Sequence, residues 1–277
     1  NSTPSCSSCG ALEFIRHLRL TSHVTLMTPE HDLPRALSRG EIFPVFQPEV
    51  DLMTGAIVAV EALCRWLHPE DGMIGPADFI PIAERTGDIH QLGQFMLEEC
   101  LNAAASWREA GADISVSVNV SPLQFDDPTF VEDLADRIRS RGLQDGALTV
   151  EITEGVPVAH PDTLAARLDQ LRSLGVGLAL DDYGTGHSSA AQVARLPWTE
   201  IKIDRTLVQS NDTDAVRGRE SVMAEARARG LTVVAEGVET SAQLTMVQKL
   251  GCHRAQGYLL GRPMPADEID ELLAAAH

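Results

Sequence analysis

Apolar residues along the chain fall into two alternating rhythms. From Phe43 onward, short β-prone runs recur at 43–47, 57–66, 114–121, 147–154, 176–182, 199–204, 231–237 and 255–260. Between most of them lie longer stretches with apolar residues at helical spacing. Those over 91–111, 129–142, 162–175, 217–230 and 241–251 each close on a glycine. A short β-prone run reads as a strand, a 3.6-residue apolar period as an amphipathic helix, and a terminal glycine as its C-cap. Eight strands with helices between them, within 277 residues, predict an α/β fold of the (β/α)8, TIM-like barrel type. A doubly wound sheet shares the alternation. No predicted strand is followed by a GxGxxG turn that opens a helix, which disfavours a dinucleotide fold. Residues 1–30 break the rhythm, with a small polar opening, NSTPSCSSCG, and one short helical stretch, ALEFIRHLRL. We expect a linker or helical extension over 1–30 and one barrel domain over 31–277.

Composition supports a folded chain. Hydrophobic residues make up 44%, enough for a substantial core. The balance of 22 basic against 40 acidic residues, a net charge of −18, repels nucleic-acid polymers and anionic membranes. It does not exclude a small anionic ligand, because a bound cation reverses the field inside a cleft. No apolar run is long enough to cross a bilayer and no secretory signal is visible. Cys64, Cys100 and Cys252 sit singly in apolar surroundings and read as core residues of a protein in a reducing, cytoplasmic setting. Cys6 and Cys9 form a CxxC with no second pair, too few ligands for a structural zinc site.

The predicted strands share a feature that packing does not explain. Each ends on, or close to, a residue able to bind metal, proton or phosphate: Gln47, Glu61, Asn119, Glu151, Asp181 with Asp182, Lys202, Glu236 and Gln256. Taken one at a time, each has a plain structural explanation, Lys202 as a solubilising edge lysine or Gln256 as a capping amide. In a barrel, however, strand C-termini open onto one face, so these side chains would converge. That many carboxylates at one mouth repel one another unless a cation sits among them. All-oxygen donors suit Mg²⁺ or Mn²⁺ rather than zinc. Adjacent aspartates, one bridging two ions and one binding a single ion, suit a two-metal clamp for in-line displacement at phosphorus.

At this point the sequence resembles a known family, the EAL domain of cyclic di-GMP phosphodiesterases. The signature stands at Glu61-Ala62-Leu63 and continues through Arg65 and Trp66. FQPEVDLMTGAIVAVEAL leads into it, and HPEDGMIGPADFIPIAERTG, SVNVSP, EITE, DDYGTGHSS, KIDR, AEGVET and QGYLLGRPMP follow in family order, the match running from about Leu33 to Leu273. The resemblance implies a barrel with one antiparallel strand and hydrolysis of cyclic di-GMP to linear pGpG. It also implies two divalent ions, Mg²⁺ or Mn²⁺, with Ca²⁺ inhibitory. The implied ligands are Glu61, Asn119, Glu151 and Asp181 for one ion, with Asp181, Asp182 and Glu236 at the second. Lys202 is implied to lie near the attacking water and the phosphate, with Glu236 as the general base. Gln47, Leu63, Arg65, Asp204 and Gln256 are implied substrate contacts, Glu239 a supporting residue and Glu154 the anchor of the loop DDYGTGHSS. The resemblance further implies a homodimer formed through the barrel. It implies an upstream sensory or cyclase domain that this chain, which opens on Asn1, does not contain.

Two other readings stay open on the sequence alone. One is a catalytically silent cyclic di-GMP receptor or scaffold, although such members usually lack one or more of the ligands that are all present here. The other is a barrel glycosidase working through two carboxylates, which an aromatic content of 4% makes a poor fit for sugar platforms.

Overall fold

A computed structural model describes residues 33–153, 161–183 and 196–275 of the chain. The predicted helical stretch near residue 11, Cys6, Cys9 and the loop anchor Glu154 lie outside the described residues. Among the described residues, nine strands form one sheet: β1 (Ile42–Asp51), β2 (Ile57–His68), β3 (Gly72–Ile74), β4 (Ser115–Asn119), β5 (Leu148–Thr153), β6 (Gly177–Tyr183), β7 (Glu200–Ile203), β8 (Thr232–Ala235) and β9 (Arg254–Gln256). Their order is β1-β9-β8-β7-β6-β5-β4-β2-β3, and β1 also pairs with β2, which closes eight strands into a barrel and leaves β3 outside it. β1 runs antiparallel to both its barrel neighbours, while β2 and β4 through β9 are mutually parallel. The (β/α)8 expectation with one antiparallel strand is therefore met.

The alternation within each strand explains the layering. Val116, Val118, Leu148, Val150, Ile201 and Ile203 are buried in the hydrophobic core. Their immediate neighbours Ser117, Thr149, Glu151, Glu200 and Lys202 are buried as well, but polar. Since successive strand side chains point to opposite faces, the apolar set meets the surrounding helices and the polar set fills the barrel. The longest helix, Ile89–Glu109, buries Leu92, Met96, Cys100, Ala104 and Trp107 at the predicted spacing. The helix Ser241–Leu250 starts at a capping box made by Thr240 and Gln243, and Gly251 ends it at φ 89°. No helix among the described residues is long and apolar enough to cross a membrane.

The strand ends differ from the expectation in two places. Gln47 and Glu61 pair with each other in the middle of β1 and β2, not at strand ends. The reason is that β1 and β2 run on past the barrel as a long hairpin, to which β3 adds. Trp66 on that hairpin packs edge-on against Phe79, with ring centroids 5.7 Å apart, and anchors it to the helix Pro76–Thr86. At the other extreme, β9 stops at Gln256, and Tyr258–Leu260 turn away rather than extend it.

Candidate active site

The C-terminal ends of the parallel strands carry the site. Lys202, in β7, is fully buried and lies among four carboxylates from four other segments. Its Nζ is 2.7 Å from Glu151 Oε2, 2.8 Å from Glu236 Oε1, 3.2 Å from Glu61 Oε2 and 3.7 Å from Asp181 Oδ1. Amides complete the shell. Asn119 Nδ2 donates to Glu61 Oε1 at 2.9 Å, and Gln256 Nε2 donates to Glu61 Oε2 at 2.7 Å and to Gln47 Oε1 at 2.9 Å. Gln47 in turn donates to the Gly261 carbonyl at 2.9 Å. The first three of the expected ligands, Glu61, Asn119 and Glu151, are thus brought together with Asp181 and Glu236.

Asp182 stands one position further out, where its backbone N–H donates to Asp181 Oδ1 at 2.9 Å. It is the one non-glycine residue of positive φ (56°) among the described residues. Aspartate tolerates this left-handed conformation better than most residues, and such strain clusters at functional sites. One carboxylate oxygen from each of Asp181, Asp182 and Glu236 lies within 4.8 Å of the other two.

One ammonium faces four carboxylates here, and burial adds to the cost of their charge. Burial raises the Glu151 and Glu236 carboxyls well above the ordinary range despite the opposing pull of Lys202. Asp181 is raised by burial too. Asp182 is pushed up to about 6 by burial, by Asp181 and by Asp204. Glu61 is the exception. Burial pushes it up, but Lys202 and the hydrogen bonds from Gln256 and Asn119 together hold it below its usual value. The Lys202 ammonium is raised well above its ordinary value, because the carboxylates outweigh the cost of its burial. Carboxylates that crowd until they favour protonation, all presenting oxygen, are the donor set a hard divalent cation requires.

A cavity of about 570 Å³ opens from this cluster. Glu61, Asn119, Asp181 and Asp182 form its polar end, and Leu63, Cys64, Pro76, Ile80 and Met96 its apolar wall. Lys202 lies beneath the carboxylates and contributes nothing to the lining. Arg65 is half-buried beside the cavity and donates to the Cys64 carbonyl at 2.8 Å. Asp204 caps the short helix Arg205–Gln209, accepting from the Thr206 N–H at 2.9 Å, and its charge acts on Asp182. Glu239 is exposed and apart from the cluster, on the segment leading into the helix Ser241–Leu250, where its N–H meets Gln243.

Two buried carboxylates and a half-buried arginine have no counterpart among the sequence candidates. Glu49, Glu200 and Arg254 lie inside the barrel below the Lys202 cluster, with Arg254 Nη1 3.3 Å from Glu200 Oε2 and 3.5 Å from Glu49 Oε2. The signal for them was the strand period. Each sits two residues from a recognised site residue, Gln47, Lys202 and Gln256 respectively, and so faces the same way.

A closed barrel with a buried acidic centre at its strand ends defines a TIM-type domain whose carboxylates could hold cations beside an open cleft. A family profile described as the EAL domain matches residues 30–263, and the chain belongs to the EAL domain family. It is 40% identical over 242 residues to the bifunctional diguanylate cyclase/cyclic di-GMP phosphodiesterase MucR of Pseudomonas aeruginosa, a match covering 86% of this chain and 35% of that protein. It is 34% identical over 252 residues to the cyclic di-GMP phosphodiesterase PA2567 of the same organism, covering 90% of this chain and 42% of the relative. The chain therefore spans less than half the length of these relatives. Among solved structures, the MucR phosphodiesterase in complex with c-di-GMP superimposes with a TM-score of 0.82 at 39% identity, covering 88% of this chain and 100% of that one.

Proposed function

We propose that this chain hydrolyses cyclic di-GMP to linear pGpG using two divalent cations, Mg²⁺ or Mn²⁺. The observation that carries the reading is the convergence of Glu61, Asn119, Glu151, Asp181 and Glu236, of which Glu61, Asn119 and Asp181 line one end of a cavity sized for a small-molecule ligand. Glu61, Asn119, Glu151 and Asp181 would hold one cation, and Asp181, Asp182 and Glu236 the other. Bound there, divalent cations polarise a phosphodiester and lower the pKa of water. The chain's residues do the rest. Glu236, partly open to solvent, accepts a proton from the attacking water. Leu63 and the apolar wall take up a base, while Arg65, Gln47 and Gln256 orient the ring. Lys202, held among these carboxylates, would lie near the attacking water and the phosphate and offset the charge that builds there. Asp204 fixes Asp182, and Glu239 and Glu154 support the loops around the mouth. Ca²⁺, larger and looser in coordination, fits this tight set less well and inhibits. The chain would serve in the cytoplasm as the phosphodiesterase part of a larger signalling protein, paired with a second copy through the barrel.

Turnover of cyclic di-GMP with Mg²⁺, Mn²⁺, Ca²⁺ or EDTA, with products separated by chromatography, tests the proposal. Release of pGpG with Mg²⁺ or Mn²⁺, stopped by EDTA, is expected. Glu61→Ala, which removes a ligand and strips partners from Asn119 and Gln256, should lower turnover at least about 100-fold, as losing a group from an electrostatic site does. Wild-type activity in that variant would overturn the site. Saturable binding of intact cyclic di-GMP without product would make the chain a receptor instead.

A further inference from the structure

The barrel closes at a short seam. β9 is three residues long, and it joins the antiparallel strand β1 over Glu49↔Gln256, Val50↔Ala255 and Asp51↔Arg254. On its other side it pairs with β8 over Val234↔Arg254 and Ala235↔Ala255. Backbone pairing this short specifies register weakly, and a slip of one residue turns every side chain to the other face. Gln256 cannot tolerate such a slip. Its Nε2 donates to Glu61 Oε2 at 2.7 Å and to Gln47 Oε1 at 2.9 Å, so the place of β9 decides whether Glu61 and Gln47 stay tied.

The side chains two residues from Gln256, Gln47 and Lys202 meet below them. Arg254 Nη1 lies 3.3 Å from Glu200 Oε2 on β7 and 3.5 Å from Glu49 Oε2 on β1. Both carboxyls are buried, and among the described residues Arg254 is the one cation within 4.0 Å of either. The arginine thus reaches from β9 to β1 across the closure and, past β8, to β7. On β8 the residue in register with both Lys202 and Arg254 is Val234, which offers neither carboxyl a partner. A buried ion pair seldom stabilises a fold more than apolar residues of the same volume would, but any arrangement that parts it leaves a buried charge uncompensated. Such a group selects one register over its neighbours.

We propose that Arg254 is a positioning residue: with Glu49 and Glu200 it clamps β9 to β1 and β7, and so holds Gln256 in the register that ties Glu61 to Gln47. Its effect on turnover rests on the cyclic di-GMP reading of the site; its effect on the seam does not.

The test separates positioning from charge pairing in the full chain. Arg254→Met breaks the clamp and leaves Glu49 a buried charge without a partner, so the melting temperature should fall. Adding Glu49→Gln removes that charge at nearly constant volume, and most of the loss should return. Turnover should not return with it. In the folded double variant, kcat/KM for cyclic di-GMP should stay about tenfold below wild type, as misplaced binding groups cost. Hydrogen exchange of peptides spanning β9, measured without metal or substrate, should run about tenfold faster than in wild type, while the helix Ile89–Glu109 keeps its protection. Wild-type exchange at β9, or turnover that recovers with stability, would reduce Arg254 to a counter-charge and overturn the proposal. If the wild-type chain does not turn over cyclic di-GMP, the reading of the site fails, and the exchange measurement decides the clamp alone. If the double variant does not fold, Glu49→Gln by itself, which frees β1 from the clamp and leaves Arg254 on Glu200, decides by the same exchange measurement.

Discussion

At the scale of single residues, the barrel interior is governed by charges that burial keeps from ionising freely. Glu200 is the clearest case. Burial, reinforced by Glu49 and only partly offset by Arg254, pushes its carboxyl from 4.5 up to about 8. Because the folded state then binds this proton more tightly than the unfolded chain, the group favours folding fully below pH 4.5 and loses that contribution as pH rises through about 8. In EDTA, the wild-type melting temperature should therefore fall between about pH 5 and 8, and Glu200→Gln should flatten the fall. A variant with the same pH slope as wild type would show that Glu200 titrates normally. The residue scale also shows what sequence alone could and could not reveal. Glu61, Asn119, Glu151 and Asp181 were legible because each is a polar residue interrupting or ending an apolar run. Glu49 was hidden by its place in FQPEVD, where it resembles turn-proximal surface charge. Only the two-residue period relative to Gln47 places it inside, and that period is informative only once the strand is known to run through Asp51. The role of Lys202 was legible in part. Its position at the site follows from the strand, but its seat beneath the carboxylates depends on side-chain packing across the barrel, which no linear pattern encodes.

At the scale of elements, the site depends on two segments held closely together. Gly257 follows Gln256 directly, and a Cβ there would fall 2.2 Å from both the backbone N and O of Val238. The two segments are also tied by hydrogen bonds, from Val238 N to the Gln256 carbonyl at 3.0 Å and from Leu259 N to the Val238 carbonyl at 3.1 Å. One segment carries Glu236 and the other Gln256, so their close approach sets the spacing of two site residues. Gly257→Ala must push them apart, since the obstacle is backbone and cannot rotate away. We expect a loss of about 3 kcal/mol in urea unfolding, the upper part of the range for overpacking, together with reduced turnover. Unchanged stability would mean the segments separate at little cost. Helices were the easiest elements to read, since five closing glycines marked their ends. The β1–β2 hairpin was harder, because its run beyond the barrel is set by pairing with a partner strand and with β3, and Trp66 on it packs on Phe79 of a helix.

At the scale of the whole molecule, the chain carries a net charge of −18, and its most concentrated negative field is buried at one end of the barrel. Burial of these charges and their mutual repulsion oppose folding, and both push the carboxyls of Glu151, Asp181 and Glu236 upward. A cation that binds the folded cluster, and finds no such cluster in the unfolded chain, stabilises the fold by mass action. With free metal at 100 times its dissociation constant, the gain is about 2.7 kcal/mol, which for a chain of this size raises the melting temperature on the order of 5–10 °C. Simple salt cannot substitute. It screens the exposed charges but reaches a buried cluster poorly, so NaCl at matched ionic strength should move the melting temperature far less than Mg²⁺ or Mn²⁺. The effect should be reversed by EDTA, and it should shrink in Glu61→Ala, which removes one ligand. Melting curves in EDTA, NaCl, Mg²⁺ and Mn²⁺ separate the two causes. If NaCl and Mg²⁺ give the same shift, the stabilisation comes from the acidic surface as a whole, and the buried carboxylates do not gather a divalent cation.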